Sequence, residues 1–455
     1  MNARQDAVAI FEAAVAGVDP ASMIEEALSL VEDGAGARLV VSAGPETASY
    51  DLGLFDRVFA TGMGKASARM ARGLEAVLGE RLSGGLVAIK GGYREELAKI
   101  SLLEAGHPLP DERSEAAARA LLSLGPSLGA ELGPRDLVIV LISGGGSSLV
   151  CAPAPGLSLA DKTATTGLLL ASGAAIHEVN CVRKHLSAIK GGRLAAALAP
   201  AIVLALVLSD VVGDELDAIA SGPTVPDPTT FADALEILAR YRLLGRLPPA
   251  VLAHLTAGRA GRALESPKPG DPLLASSRTL LVGTNRLALE AARAEAEGRG
   301  YRSLVLSSRI TGEAREAALV FLGIGKDMAA SGLPLGRPAC LIAGGETTVT
   351  VRGGGRGGRN QEMALAFLAA LGRSPRDGED LVFLSAGTDG NDGPTDAAGA
   401  LVDLGLYRRA RSAGLDPAVF LANNDSYSFF EAAGGHVKTG PTKTNVCDIQ
   451  LLLLP

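Results

Sequence analysis

The sequence predicts an α/β protein with a largely parallel sheet. Two observations point there. Continuous apolar runs of strand length alternate with alanine-rich helical stretches, the pattern of a parallel sheet covered by helices on both faces. Loops rich in glycine, serine and aspartate follow those runs, at the strand ends where open α/β sheets bind ligands.

Each element follows in chain order. The opening stretch MNARQDAVAIFEAAVAGVDP mixes charges into an amphipathic helix and lacks a signal-peptide core. RVFATGMGKASARMARGLEAVL reads as strand, turn and helix, the helix opening at about Lys65. GGLVAIKGGY supplies a second strand and DLVIVLISGGGSS a third. The apolar run from Leu194 is broken by Pro200, so it reads as a helix end followed by a strand over 202–208. It is too short for the ~20 residues of a membrane span. The stretch from Ser221 to Asp271 is rich in proline and glycine around two short helices, and ESPKPGDP within it reads as connection rather than core. A domain boundary is therefore expected near 240, with domains over about 1–240 and 241–455. RTLLVGTNRLALEAARAEAE repeats strand, turn and helix, and YRSLVLSS, PACLIAGG and LVFLSAG are further strands. VRGGGRGGRNQEMALAFL reads as a loop feeding a helix N-terminus.

The chain has 455 residues, 47% of them hydrophobic and 20% charged, enough for two or three cored domains and against general disorder. The 43 basic and 50 acidic residues leave a net charge of −7. No basic stripe marks a nucleic-acid binder. The four cysteines, Cys151, Cys181, Cys340 and Cys447, form no CxxC pair and read as reduced thiols of a cytoplasmic protein. A homo-oligomer is neither indicated nor excluded.

The loops carry the chemistry. Ser143-Gly144-Gly145-Gly146-Ser147-Ser148 follows a buried strand and can surround an anion with N–H groups and hydroxyls. It is neither a Walker A loop nor a GxSxG elbow. Gly62, Gly64 and Lys65 place an ammonium at a helix opening, where it and the helix dipole act together on an anion; an exposed lysine is the plain alternative. Ser67 stands where a dinucleotide fingerprint needs its third glycine. Asp210 ends a strand and suits Mg²⁺ or a substrate hydroxyl. In NCVRKHLSAIKGGRLA most basic groups read as a solvated helix face, with one or two, Lys184 among them, reaching a phosphate. His185 is a weak candidate base. Gly344, Gly345 and Glu346 end a strand; Arg359 and Asn360 open a helix, the arginine offering a bidentate fork. Thr388 and Asp389 begin a loop suited to Mg²⁺–nucleotide or substrate, or to a plain turn.

In that order, GMGKAS, LISGGGSSL, VRKHLSAIKGGRLA, LSDVVGD, ASGPTVPD, AGGET, GRGGRNQE and AGTDGNDGPTDAAG resemble the glycerate 2-kinase family, whose C-terminal part is the MOFRL domain. The resemblance covers almost the whole chain. It implies a Rossmann-like N-terminal domain, a smaller α/β C-terminal domain with the MOFRL region at about 335–450, and an active site in the cleft between them. It implies ATP and Mg²⁺ as cofactors and D-glycerate as substrate, phosphorylated at its 2-hydroxyl. It implies catalytic roles for Lys65 and Arg359 and site roles for Asp210 and Glu346. Asp210, Glu346 and Asp389 are the candidate metal ligands.

Some members of that family are labelled hydroxypyruvate reductases, so NAD(P)H-dependent reduction is the alternative. The defective fingerprint weighs against it. A non-catalytic sugar-phosphate binder would explain the anion loops but not the strand-end carboxylates.

Overall fold

The computed structural model describes residues 2–33 and 36–455. The chain divides into two compact units, Pro20–Val282 and a discontinuous one made of Met1–Asp19 with Gly283–Pro455.

The first unit begins with a three-stranded antiparallel sheet, β1 (Leu28–Asp33), β2 (Gly36–Ala43) and β3 (Glu46–Asp51). Its main sheet holds β4 (Arg57–Met63), β5 (Leu82–Lys90), β6 (Ile100–Ala105), β7 (Asp136–Ile142), β8 (Ile202–Leu208) and β9 (Ser277–Gly283). The order is β6-β5-β4-β7-β8-β9, with parallel pairing from β6 through to β8. Counted along the chain, that is the doubly wound 3-2-1-4-5-6 order, which reverses direction between β4 and β7. Every residue of β7 is buried, as its unbroken apolar sequence requires. Arg57 pins the start of the β4–β7 pair, its Nε and NH2 donating to Asp136 at 2.8 and 2.7 Å. Helix Ser67–Leu78 buries Met70, Leu74 and Leu78, one face at four-residue spacing.

The two short helices expected between Ser221 and Asp271 are present and carry a core of their own. Helices Phe231–Arg240 and Pro249–Arg259 bury Phe231, Leu238, Val251 and Leu255 in one cluster with Val179 and Val182. The unit therefore runs on to Val282, past the boundary expected near 240. Proline and glycine mark the turns of this segment, and the apolar spacing of its helices marks its core.

The second unit holds β10 (Arg302–Ile310), β11 (Ala339–Gly345), β12 (Val382–Gly387), β13 (Gly399–Asp403), β14 (His436–Val437) and β15 (Asp448–Leu454), in the order β10-β11-β15-β12-β13-β14. Only β10 and β11 pair in parallel, so this sheet is mixed. The final strand enters between β11 and β12, antiparallel to both. The N-terminal helix Ala3–Ala16 also belongs to this unit rather than to the first. It buries Ile10 and Phe11, Asp6 receives bonds from Arg299 and Tyr301 at 2.9 Å, and Thr444 Oγ1 donates to the Val18 carbonyl at 2.8 Å. Among the described residues no disulfide joins the cysteines, and no single helix is long and apolar enough to cross a membrane.

Candidate active site

The loops after β4 and β7 lie where the strand order reverses, the position at which doubly wound sheets bind ligands. They are tied together through the backbone. Lys65 N–H donates to the Gly144 carbonyl at 2.8 Å, and Ser143 N–H donates to the Met63 carbonyl at 3.0 Å. Ser143 is wholly buried, and its Oγ accepts from Ala66 N–H at 3.0 Å. Its hydroxyl thus fastens the neighbouring helix opening and is not available to a ligand, contrary to the expectation for this residue. Gly62 and Gly64 serve the same seam. A Cβ on Gly62 would stand 2.3 Å from the Leu141 carbonyl oxygen, and one on Gly64 2.1 Å from Ser143 Oγ. What approaches these two backbones is the chain itself.

Gly144 and Gly145 mark the place where side chains converge. A Cβ on Gly144 would stand 2.1 Å from Asp210 Oδ2, so the strand-end carboxylate of β8 lies against bare backbone. Gly145 adopts φ +79°, and a Cβ there would lie 3.0 Å from His107 Nε2 and 3.2 Å from Lys65 Cγ. One loop therefore gathers Lys65, His107 and Asp210 from the ends of β4, β6 and β8. Burial, then the Lys65 and Lys90 ammoniums, lowers the His107 imidazole to about 4. It is neutral at physiological pH.

Ser147 and Ser148 follow. Ser148 Oγ donates to the Gly145 carbonyl at 3.0 Å. Ser147 Oγ accepts from Arg183 and, at 2.6 Å, from Lys190. The helix-face reading of the basic stretch thus fails for its central residues. Lys184 is buried and donates to Asp217 and Asp227 at 3.0 and 3.1 Å, an internal ion pair that leaves no ammonium for phosphate. His185 is clamped between the Cys181 carbonyl at 2.8 Å and Glu265 at 2.9 Å, which removes it as a base.

In the second unit Arg359 opens helix Arg359–Arg373. Its Nε and NH2 donate to Asp448 at 2.6 and 2.9 Å, and NH1 pairs with Glu346 at 2.8 Å. Against burial, Asp448 and Glu346 hold the guanidinium well above its usual range. Asn360 is a structural residue: Ser385 donates to its Oδ1 at 2.6 Å, and Asp392 caps the helix on Asn360 and Gln361 N–H at 3.1 and 2.8 Å. Thr388 is buried and donates to the Cys447 carbonyl at 2.7 Å. Asp389 accepts from Asn391 N–H at 3.0 Å. A Cβ on Gly344 would meet Asn285 Oδ1 at 2.1 Å, and one on Gly345 would meet the Ile310 carbonyl oxygen at 2.1 Å. These glycines too make room for the protein. A cavity of about 480 Å³ is lined by Gly357, Gly358, Arg359 and Asp392.

The three expected metal ligands form no cage. Among the described residues no three His, Cys, Asp or Glu side chains group closely enough to hold a metal, and Glu346 is engaged by a guanidinium.

A family model described as a domain of unknown function, DUF4147, matches residues 6–256, and the MOFRL family model matches 339–448. The glycerate 2-kinase of Pyrococcus horikoshii is 39% identical over 100% of this chain and 98% of its own length. The chain belongs to the glycerate 2-kinase family. The crystal structure of a glycerate kinase from Thermotoga maritima, 38% identical, superposes with a TM-score of 0.84 over 99% of both chains. A relative from Agrobacterium vitis, 42% identical over 100% of this chain and 95% of its own, is provisionally named a hydroxypyruvate reductase.

Three residues that the sequence reading did not single out lie beside the serine–glycine loop: His107, Arg183 and Lys190. His107 follows a strand whose sequence, ISLLEA, is only partly apolar, so its loop went unread. Arg183 and Lys190 had a usable signal. They flank Leu186 and Ile189, apolar residues buried in the turn after helix Ile176–His185, which mark this stretch as packed rather than solvated.

Proposed function

We propose that the chain transfers the γ-phosphoryl group of ATP to the 2-hydroxyl of D-glycerate, giving 2-phosphoglycerate and ADP. The observation that carries this reading is the meeting of Lys65, His107 and Asp210 around Gly144 and Gly145 at the switch point of the doubly wound sheet. Phosphoryl transfer needs positive charge and alignment more than covalent chemistry, and this loop offers both beside a carboxylate.

Lys65 neutralises the charge that builds on the transferring group. Asp210 accepts a hydrogen bond from the 2-hydroxyl and takes its proton as the oxygen attacks. His107, neutral, donates or accepts a hydrogen bond without adding charge. Within the second unit, Arg359 offers an anion its NH1 by giving up Glu346, while Asp448 keeps the rest of the fork. Mg²⁺ binds ATP phosphates and water with only one or two protein carboxylates; Asp210, a hard oxygen donor against bare backbone, fits that role. When bound, the ion screens phosphate charge.

The test is ADP release from purified protein given D-glycerate, ATP and Mg²⁺, beside hydroxypyruvate with NADH and with NADPH. Glycerate-dependent ADP and no NAD(P)H oxidation are expected. Reductase turnover without kinase activity overturns the proposal, and phosphorus NMR showing 3-phosphoglycerate overturns the regiochemistry.

A further inference from the structure

Three cations of the first unit are gathered without a carboxylate beside them; the acidic group they share is the Cys151 thiol, which is hydrogen-bonded to Lys162. Arg183 and Lys190 close on one hydroxyl, Ser147 Oγ, and Lys190 also reaches the Ser147 carbonyl at 2.9 Å. Lys162 donates to the Ala152 carbonyl at 3.2 Å. Both lysines are buried. Among the described residues no ion pair joins any of the three to a carboxylate. Lys184, adjacent to Arg183, shows the ordinary solution, since Asp217 and Asp227 neutralise it.

Buried cations left unpaired are costly and tend to shed protons. Both lysines show the strain. Burial lowers Lys162 to about 8, and burial followed by the Arg183 and Lys162 charges drives Lys190 well below its ordinary range. The Cys151 thiol in the same wall offsets this only in part, and a bound anion would relieve it further.

Lys162, Arg183, Lys190 and Ser147 line a cavity of about 310 Å³, walled also by Leu109 and Leu170. This volume is at the small end for ligand pockets and suits a short organic acid better than a nucleotide. Its place along the chain is informative. Ser147 lies two residues after Gly145, so within ~7 Å of it. Pro108, another lining residue, directly follows His107.

We propose that this pocket seats the carboxylate of an α-hydroxy acid, held by the Arg183 fork with Lys190 and Lys162 behind it. The planar fork matches a carboxylate. An acid anchored here turns its hydroxyl-bearing carbon towards Gly145, where Lys65, His107 and Asp210 gather. The identity of the acid as glycerate rests on the proposed function; the demand for a carboxylate does not.

Calorimetric titration, with and without ADP, separates the two. The wild-type protein is titrated with D-glycerate, with glyceramide, which lacks the charge, and with inorganic phosphate. Glycerate is expected to bind roughly tenfold or more tightly than glyceramide, the range of a charge-assisted contact. Arg183→Gln should bring that ratio close to one. A merely structural role would weaken both ligands equally, and that result overturns the proposal. So does phosphate binding tighter than glycerate and lost in Arg183→Gln, or no glycerate binding under either condition. Should Arg183→Gln fail to fold, Arg183→Lys and Lys162→Met support the same comparison. Glycerate binding through Arg183 with no ADP formation would uphold the pocket and sink the kinase reading.

Discussion

Arg359 grips Asp448 with two parallel hydrogen bonds, Nε on Oδ2 at 2.6 Å and NH2 on Oδ1 at 2.9 Å. Asp448 is the first residue of β15, and its side chain is 0% exposed. Arg359 is the first residue of helix Arg359–Arg373. The pair therefore staples a helix opening to a strand flanked on both sides in the second sheet. An arginine that the resemblance marks as catalytic also neutralises a buried carboxylate.

Arg359→Ala should consequently cost stability as well as activity. Removing one partner of a buried ion pair costs about 3–5 kcal/mol, because the other charge stays behind. At ~2–4 °C per kcal/mol for a unit of this size, the melting temperature should fall by roughly 6–20 °C. Arg359→Ala with Asp448→Asn should recover part of that loss, since no charge then remains stranded. Calorimetric scans of both variants decide the matter; an unchanged transition in the single variant would show that the pair carries no stability.

Gly144→Ala tests the carboxylate contact. Its Cβ would lie 2.1 Å from Asp210 Oδ2, so Asp210 must move while the sheet beneath stays intact. The variant should fold by circular dichroism, and kcat should fall by about as much as in Asp210→Asn, on the order of 10²-fold or more. The double variant should be little worse than either single one, because both act on one group. Full additivity would separate Gly144 from Asp210.

Much of this architecture was legible in the sequence, for stated physical reasons. Strands β7 and β8 are unbroken apolar runs between turn residues, so DLVIVLI and IVLALVL declared themselves. The convergence of Lys65 and Asp210 on the serine–glycine loop followed from strand-end position. What stayed hidden depends on contacts distant in sequence. Thr444 meets Val18 across 426 positions, and no local pattern places the N-terminal helix in the second unit. DIQLLLL reads as a strand only once β11 and β12 leave a gap for it. The glycines misled in one respect. Gly62, Gly64, Gly344 and Gly345 reported close backbone approach correctly, but the approaching atoms belong to the protein. Ser143, Lys184, Asn360 and Thr388 have the chemistry of ligand-binding groups, and the fold spends it on internal partners.

Lys65→Met keeps the stem and removes the charge. A cation that tracks developing charge acts mostly in the transition state, so kcat should fall more than KM rises. A decrease of roughly 10²–10³ in kcat is expected, as for the loss of one charge-stabilising donor. The melting temperature should hardly move. Steady-state kinetics against glycerate and ATP measure this, and near-normal kcat would remove Lys65 from the chemistry.

The same variant should be visible at His107. Burial and the neighbouring Lys65 and Lys90 charges lower this imidazole from 6.5 to about 4. Between those values the unfolded chain holds a proton that the folded chain lacks. Folding stability therefore rises with pH across that window, and the cost is complete only below about 4. His107→Gln should flatten that part of the pH profile. Lys65→Met removes one of the two charges and leaves burial in place, so His107 should titrate above its wild-type value yet still below 6.5. NMR titration of the imidazole resonances in both proteins is the measurement. An unmoved His107 titration in Lys65→Met would mean that the ammonium does not sit beside the ring. The meeting of Lys65 and His107 around Gly145, on which the proposed chemistry rests, would then be wrong.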